Sequence, residues 1–456
     1  MTRGWIATWL TLLIALIAPA PAWAQHAAGE WHGQLTVGAT TLRIEVTITQ
    51  AADGSLSGTM GSPDQGGEDL KLTNVTFVGT DFSFDAPSID GRYAAHWDAA
   101  AGNWAGSWTQ GVTLPLVLAP GKDAAISRPQ EPKPPFPYVE QDVSIDSVAG
   151  VRLSCTLTRP AKAAAGAGPV PAAVLVTGSG AQDRDEALFG HKPFAVLADH
   201  LTRAGIAVLR CDDRGTARST GVFGTALTRD FADDAHAALA WLHRQNGIGK
   251  VGLIGHSEGG LVGPMVAERD PKLGFLVMLA GPGIPMADLL AAQSVAISRA
   301  MGEPPEKAAR NGEINRRLVQ AVIAAPSGEA AKAVATRILI EDGMSPEQAA
   351  SQAGPVASPW FRSIAAYDPR PPLARLRVPL LALNGATDTQ VPAAANLAAI
   401  REATRDNRDV TIVELPGLNH LFQTSATGSP ADYGKIAETF SPKALTLISD
   451  WILKHR

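Results

Sequence analysis

The stretch Gly255-His256-Ser257-Glu258-Gly259-Gly260 is the part of this sequence best suited to covalent chemistry. A serine hydroxyl is a weak nucleophile until it is held against a base. Here the serine follows an apolar strand-like run, Val251-Gly252-Leu253-Ile254, and precedes a helix-like stretch beginning Leu261-Val262-Gly263. A sharp strand-to-helix turn lifts the hydroxyl clear of a sheet edge, and glycines two residues to either side leave room where a Cβ would clash. The helix that follows aims its positive end at developing negative charge. With 44 glycines in the chain the five-residue pattern arises easily by chance. Its setting between strand and helix, with no second copy competing, gives it weight.

The partners follow from chain order, which for a nucleophile on such a turn is serine, then acid, then histidine. Of ten histidines only His420 and His455 lie beyond the serine's own turn. His455 stands beside the C terminus, a solvated position. His420, in Pro416-Gly417-Leu418-Asn419-His420-Leu421-Phe422, directly follows the last strand-like run and is the expected general base. Asp388, at the end of the strand-like run Leu380 to Leu383, is expected to orient it and to stabilise the imidazolium formed during attack. Asp406, Asp409 and Glu414 are rivals, but Arg401, Arg405 and Arg408 mark their surroundings as a solvated face. An oxyanion needs donors. The backbone N–H groups of Glu258 and of Ser179, in Thr177-Gly178-Ser179-Gly180-Ala181-Gln182-Asp183, are the candidates, with Gly180 next. Phe189, Trp360, Phe361, Leu421 and Phe422 are apolar residues that could line an acyl pocket.

These residues need a frame, and the chain supplies one. Buried-strand runs at 172–176, 206–210, 251–254, 276–279, 380–383 and 410–413 alternate with helical stretches such as 194–204 and 230–245. Continuous apolar strands separated by helices imply a mostly parallel sheet with helices on both faces. Segments 139–145 and 151–158 read as a leading antiparallel pair. Residues 285–372 break the rhythm, being helix-forming with no strand-like run. They read as a helical cap inserted over the C-terminal sheet edge, where such folds bind ligands. The α/β unit therefore spans 138–284 and 373–456.

Ahead of it, residues 25–122 are all-β in character. Runs such as Leu42-Arg43-Ile44-Glu45-Val46-Thr47-Ile48 are punctuated by turn signals, among them Pro63-Asp64-Gln65-Gly66-Gly67. A small sandwich or barrel is expected, its core filled by tryptophans 31, 97, 104 and 108. Residues 123–137 form a proline-rich, extended linker. Residues 1–24 read as a signal peptide: a positive start, an apolar run from Trp5 to Ala18, then Ala22-Trp23-Ala24 before Gln25. No later stretch is apolar enough to span a bilayer, so a periplasmic or secreted mature protein is expected. Cys155 and Cys211 both fall in strand-like runs, and whether they pair stays open.

Composition excludes several classes. The 45% hydrophobic and 18% charged content is that of a globular protein, and a net charge of -5 argues against nucleic acid. There is no H-E-x-x-H, cysteine–histidine cluster or P-loop, so no metal or nucleotide is expected.

From about Pro171 onward the chain resembles the bacterial serine aminopeptidase-like and carboxylesterase branch of the α/β-hydrolase superfamily. The matching segments are Thr177 to Glu186, Arg210 to Gly221, Gly255 to Gly260, Gly385 to Pro392 and Leu418 to Gln423. A β-rich region ahead of this unit is similar to exported esterase-like members. The resemblance implies an α/β-hydrolase fold and ester or amide hydrolysis through an acyl-enzyme, without a cofactor. Ala217 departs from the pattern, since relatives often carry glycine there. The leading expectation is a carboxylesterase acting on small-molecule esters. A serine aminopeptidase is the alternative, and a non-catalytic envelope binding protein on the same fold is the non-enzymatic one. The charged residues Asp183 to Asp185 and Arg210 to Arg214 are expected to form an ion network that shapes loops.

Overall fold

The computed structural model describes residues 27–37, 40–63, 69–122, 127–164 and 168–456. The expected signal peptide lies outside the described residues, as do residues 64–67 of one turn and 123–126 of the linker.

The first region is one antiparallel sheet of β1 (Gly29–Val37), β2 (Thr40–Gln50), β3 (Leu56–Gly61), β4 (Leu70–Lys71), β5 (Thr73–Val78), β6 (Asp81–Ala86), β7 (Gly91–Asp98), β8 (Asn103–Gln110) and β9 (Val112–Pro120). Its order is β4-β3-β2-β1-β9-β8-β7-β6-β5. The period-2 pattern sets which face is buried: in β2, Ile44, Val46 and Ile48 turn inward while Arg43, Glu45 and Thr47 are more exposed. Every strand but the short β4 feeds one core, so the sheet curls around it. Trp31, Trp104 and Trp108 are buried there, and Trp97 packs on Trp104 with ring centroids 5.0 Å apart. The tryptophans are core, as expected.

The second sheet has β10 (Tyr138–Asp146), β11 (Arg152–Pro160), β12 (Val170–Val176), β13 (Ala207–Cys211), β14 (Ile248–His256), β15 (Leu276–Leu279), β16 (Leu380–Gly385) and β17 (Val410–Leu415). The order is β10-β11-β13-β12-β14-β15-β16-β17, antiparallel through β13 and parallel thereafter. Its helices are α1 (Ala161–Ala164), α2 (Pro193–Arg203), α3 (Thr228–Leu242) and α4 (Gly259–Ala267), then α5 (Met286–Ala300) through α9, then α10 (Arg370–Arg375), α11 (Ala393–Ala403) and α12 (Pro442–Lys454). Alternate residues of β12 separate the two faces. Ala172 and Val174 join the core under α3, α4, α10 and α11, while Ala173 and Leu175 join the core under α2 and α12. This is the α/β-hydrolase arrangement.

Between β15 and β16 run α5, α6 (Pro305–Ala324), α7 (Gly328–Glu341), α8 (Pro346–Val356) and α9 (Pro359–Ala365). Helices α6 to α8 bury a small core of their own around Val322, Ala335 and Ala353. Met286, Leu289 and Ile364 attach the insertion to Leu261 of α4 and to Val391. Among the described residues no helix is long and apolar enough to cross a membrane.

The linker, expected to be an extended spacer, is docked. Arg128 donates to the carbonyls of Phe189 (3.0 Å), Gly190 (3.2 Å) and Gly434 (2.7 Å). Gln130 Oε1 accepts from the Thr439 and Phe440 backbone N–H groups. Proline prevents helix there but leaves such side chains free to bond.

Cys155 and Cys211 face one another across the β11–β13 ladder and are joined in a disulfide, which resolves the pairing left open. The bridge closes a loop 56 residues apart in sequence. A chain-entropy argument gives it about 4 kcal/mol. A Cys155→Ala/Cys211→Ala protein should therefore have a clearly lower denaturant midpoint than the parent. Reductant should lower the parent's midpoint alone; equal midpoints would show that the thiols are not bonded.

Candidate functional site

The parallel strands end on one edge, and their loops converge there. β14 delivers Ser257 at φ 52°, the left-handed region that costs a non-glycine residue roughly 1–2 kcal/mol. Its backbone N–H donates to the Leu279 carbonyl at 2.9 Å, and its own carbonyl accepts from Gly260 N–H at 2.9 Å. A Cβ at position 255 would lie 2.0 Å from the Gly259 carbonyl oxygen, and one at 259 would lie 2.3 Å from that of Val176. Both glycines of the motif are therefore demanded by close backbone approach, as the strand–turn–helix reading expects.

His420 and Asp388 arrive on the loops after β17 and β16. His420 Nδ1 donates to Asp388 Oδ2 at 2.8 Å, and Asp388 Oδ1 accepts from the N–H groups of Gln390 and Val391, each at 2.8 Å. Both side chains are buried. Asn419 stiffens the histidine loop, its Oδ1 accepting from Leu421 and Gln423 N–H. Ser257 and His420 line one cavity. No hydrogen bond joins the serine hydroxyl to the imidazole among the described residues; such contacts tighten only with substrate bound. The rivals lie elsewhere. Asp406, Asp409 and Glu414 are exposed, and Asp409 pairs with His455 at 3.1 Å.

Sequence reading missed a second imidazole. His256 Nδ1 meets Glu186 Oε1 at 2.8 Å and its Nε2 meets the His420 carbonyl at 3.0 Å. Burial by itself would push this imidazole down, but the Glu186 carboxylate outweighs it and holds the group above its ordinary value. Glu186 Oε1 also accepts the Gly178 N–H at 2.7 Å. One carboxylate thus ties the loop after β12 to the elbow, and His256 carries the link on to the His420 loop. The only sequence signal was His256's place inside the motif, and Glu186 lies 70 residues away. Because Gly178 N–H is engaged, the open donors beside Ser257 are the Ser179 and Glu258 N–H groups. Neither makes a hydrogen bond among the described residues, and both residues line the cavity.

The charged residues form the expected network. Arg184 grips Asp212 at 2.9 and 2.7 Å, Arg210 pairs with Asp185 at 2.8 Å, and Arg214 pairs with Asp234 at 2.7 Å. Asp213 accepts from Thr177 Oγ1 (2.9 Å) and Gln182 N–H (3.0 Å), bracketing the loop that carries Ser179. Ala217 sits at φ 47°, which explains why glycine suits that position.

His191 ties the next loop down. Its Nδ1 lies 2.8 Å from Thr439 Oγ1, and its Nε2 lies 2.9 Å from Gln423 Nε2. Burial first, then the Arg128 charge, lowers it from 6.5 to about 4. Between pH 4 and 6.5 the unfolded chain binds a proton that the folded chain refuses, so stability rises with pH across that window. The term is complete above pH 6.5 and amounts to at most ~3 kcal/mol before solvent screening. Denaturant midpoints measured from pH 4.5 to 7 should climb for the parent and less steeply for His191→Asn; parallel curves would remove His191 from the account.

The cavity holds about 260 Å³. Trp360, Phe361 and Leu421 line it as expected, with Met286 and Leu289 from α5. Phe189 and Phe422 do not. Phe422, at φ 60°, turns beneath the loop and stacks on Phe440 at 5.3 Å in the sheet core. Phe189, at φ 52°, packs edge-on against Tyr433 at 5.5 Å, and its neighbour Leu188 faces the cavity instead.

Comparison with known proteins agrees with this frame. A family model described as "Serine aminopeptidase, S33" matches residues 191–424, just over half of the chain. Esterase EstD of Thermotoga maritima is 25% identical over 322 residues, covering 70% of this chain and 69% of that protein. Among solved structures, the α/β hydrolase GrgF from Penicillium sp. sh18 is 16% identical with a TM-score of 0.45, covering 70% of this chain and 99% of its own. The Pyrococcus furiosus esterase Pf2001 is 15% identical with a TM-score of 0.44, covering 70% and 93%. With its elbow serine, doubly wound sheet and family match, the chain is a hydrolase that belongs to the serine aminopeptidase family of the α/β-hydrolase superfamily.

Proposed function

We propose that this protein is a carboxylesterase that cleaves small-molecule esters through an acyl-enzyme, with Ser257 as nucleophile, His420 as general base and Asp388 orienting the histidine. The observation that carries the reading is the shared cavity of a left-handed Ser257 and a buried imidazole whose Nδ1 is already committed to Asp388. Its Nε2 is then the nitrogen left to accept the serine proton. Attack on the ester carbonyl forms the Oγ–C bond and pushes charge onto the carbonyl oxygen. The N–H groups of Glu258 and Ser179 receive that oxyanion. His420 returns the proton to the departing alcohol, and water, activated by the same imidazole, releases the acid. The helices between β15 and β16 act as the cap that walls the acyl group.

The similarity to Esterase EstD supports the ester reading. One observation favours peptide-like amide substrates as a second reading: Glu258 is among the residues that line the cavity, and an acidic residue there could hold a substrate amine. Comparing p-nitrophenyl ester with aminoacyl-anilide turnover by the purified chain decides between them. A fluorophosphonate probe should label Ser257, and a folded sample that takes no label would retire both. Export to the periplasm or medium is part of the proposal, supported by the leader at residues 1–24 and by a disulfide suited to an oxidising compartment. A mature protein beginning at Gln25 is the expected N-terminal sequencing result.

A further inference from the structure

Glu258 does more than present a backbone N–H. Its side chain is buried, with Oε1 accepting from Thr228 Oγ1 at 2.6 Å and from Trp360 Nε1 at 3.0 Å. Thr228 begins α3 and packs within the α/β body, whereas Trp360 lies on α9 of the insertion, 102 residues away in sequence. One carboxylate oxygen thus fastens the residue after the nucleophile to an aromatic wall of the cavity. The scissile carbonyl must sit at the Glu258 N–H, so the same residue sets where the carbonyl is held and where the indole stands. The cavity in which both stand is small, about 260 Å³ against a usual range of roughly 300–1,000 Å³ for small-molecule pockets. Charge adds a second restriction. Among the described residues no lysine or arginine lines the cavity, and Glu186 is committed to His256, so the Glu258 carboxylate meets hydrogen-bond donors but no cationic side chain there.

We infer that Glu258 and Trp360 together are the acyl-selectivity element of the site, restricting it to esters of short acyl groups that carry no negative charge. The inference rests on the esterase reading. The carboxylate holds the indole across the cavity while its charge repels an acyl carboxylate. Trp360→Phe removes the N–H but keeps an aromatic ring; Glu258→Gln keeps an acceptor for the indole but removes the charge. The two functions therefore separate.

The test measures kcat/KM for p-nitrophenyl butyrate, octanoate and hemisuccinate with the full chain and both variants. Ratios between substrates within one preparation do not depend on the fraction of active protein. The parent should favour butyrate over each of the others by about ten-fold or more. Trp360→Phe should raise the octanoate-to-butyrate ratio by roughly five- to ten-fold. Glu258→Gln should keep that ratio within about two-fold while raising hemisuccinate-to-butyrate by about ten-fold. A parent that cleaves octanoate as readily as butyrate, or variants whose ratios match the parent's, would overturn the inference. If Ser257 is labelled by fluorophosphonate and butyrate is turned over in those cases, the esterase reading survives. Absent labelling and absent turnover of every ester defeat both.

Discussion

Ser257→Ala should lower kcat/KM for p-nitrophenyl butyrate by roughly 10⁴- to 10⁶-fold, leaving at most the modest acceleration that bound oxyanion donors supply without a nucleophile. The physical reason is local. The elbow holds Ser257 at φ 52° on the cavity shared with His420. Its backbone bonds to Leu279 and Gly260 do not involve the side chain. The variant should therefore fold as the parent does, and the same left-handed backbone accepts alanine at similar strain. Thermal midpoints within a few degrees, together with loss of turnover, are the expected pair of results. Turnover within ten-fold of the parent would end the assignment of Ser257.

The second large effect belongs to the carboxylate. Asp388 uses both oxygens fully: Oδ1 takes two backbone N–H groups and Oδ2 takes the imidazole Nδ1–H. Asparagine cannot reproduce this. With its oxygen towards Gln390 and Val391, its amide hydrogens face Nδ1 and force the proton to Nε2, the nitrogen that must accept from serine. Turned over, it sets an NH₂ against two backbone donors. Asp388→Asn should accordingly cut kcat by about 10³- to 10⁴-fold with a much smaller change in KM. Asp409→Asn, whose partner is His455 near the chain end, should keep kcat within about two-fold. If the two variants lose activity alike, or Asp388→Asn stays within ten-fold of the parent, the orienting role falls.

How much of this was legible beforehand varies with the physics behind each feature. Backbone-level features were legible because near neighbours in the chain determine them. The apolar run 276–279 is β15 to the residue, and the alternation of Ile44, Val46 and Ile48 gives the inward face of β2. The glycines at 255 and 259 announced a turn whose sterics allow no Cβ. Chain order then singled out Asp388 and His420, because a strand in a parallel sheet delivers its following loop to one edge.

Side-chain direction and long-range partnership followed different rules. Leu421 and Phe422 are adjacent and both apolar, yet one lines the cavity and the other, in the left-handed region at φ 60°, stacks in the core. Cys155 could be judged buried from its strand, but its bond to Cys211 required the register that sets β11 against β13. The Glu186–His256 pair and the Glu258–Trp360 contact each join segments 70 or more residues apart. Nothing in a local window encodes such a meeting, since it depends on how whole layers settle against one another. The sequence by itself determined the scaffold and the turn that carries Ser257, and it singled out the three side chains proposed to do the chemistry. Only the folded chain decided which neighbours brace them and which residues line the cavity, because those choices are made by packing between distant parts.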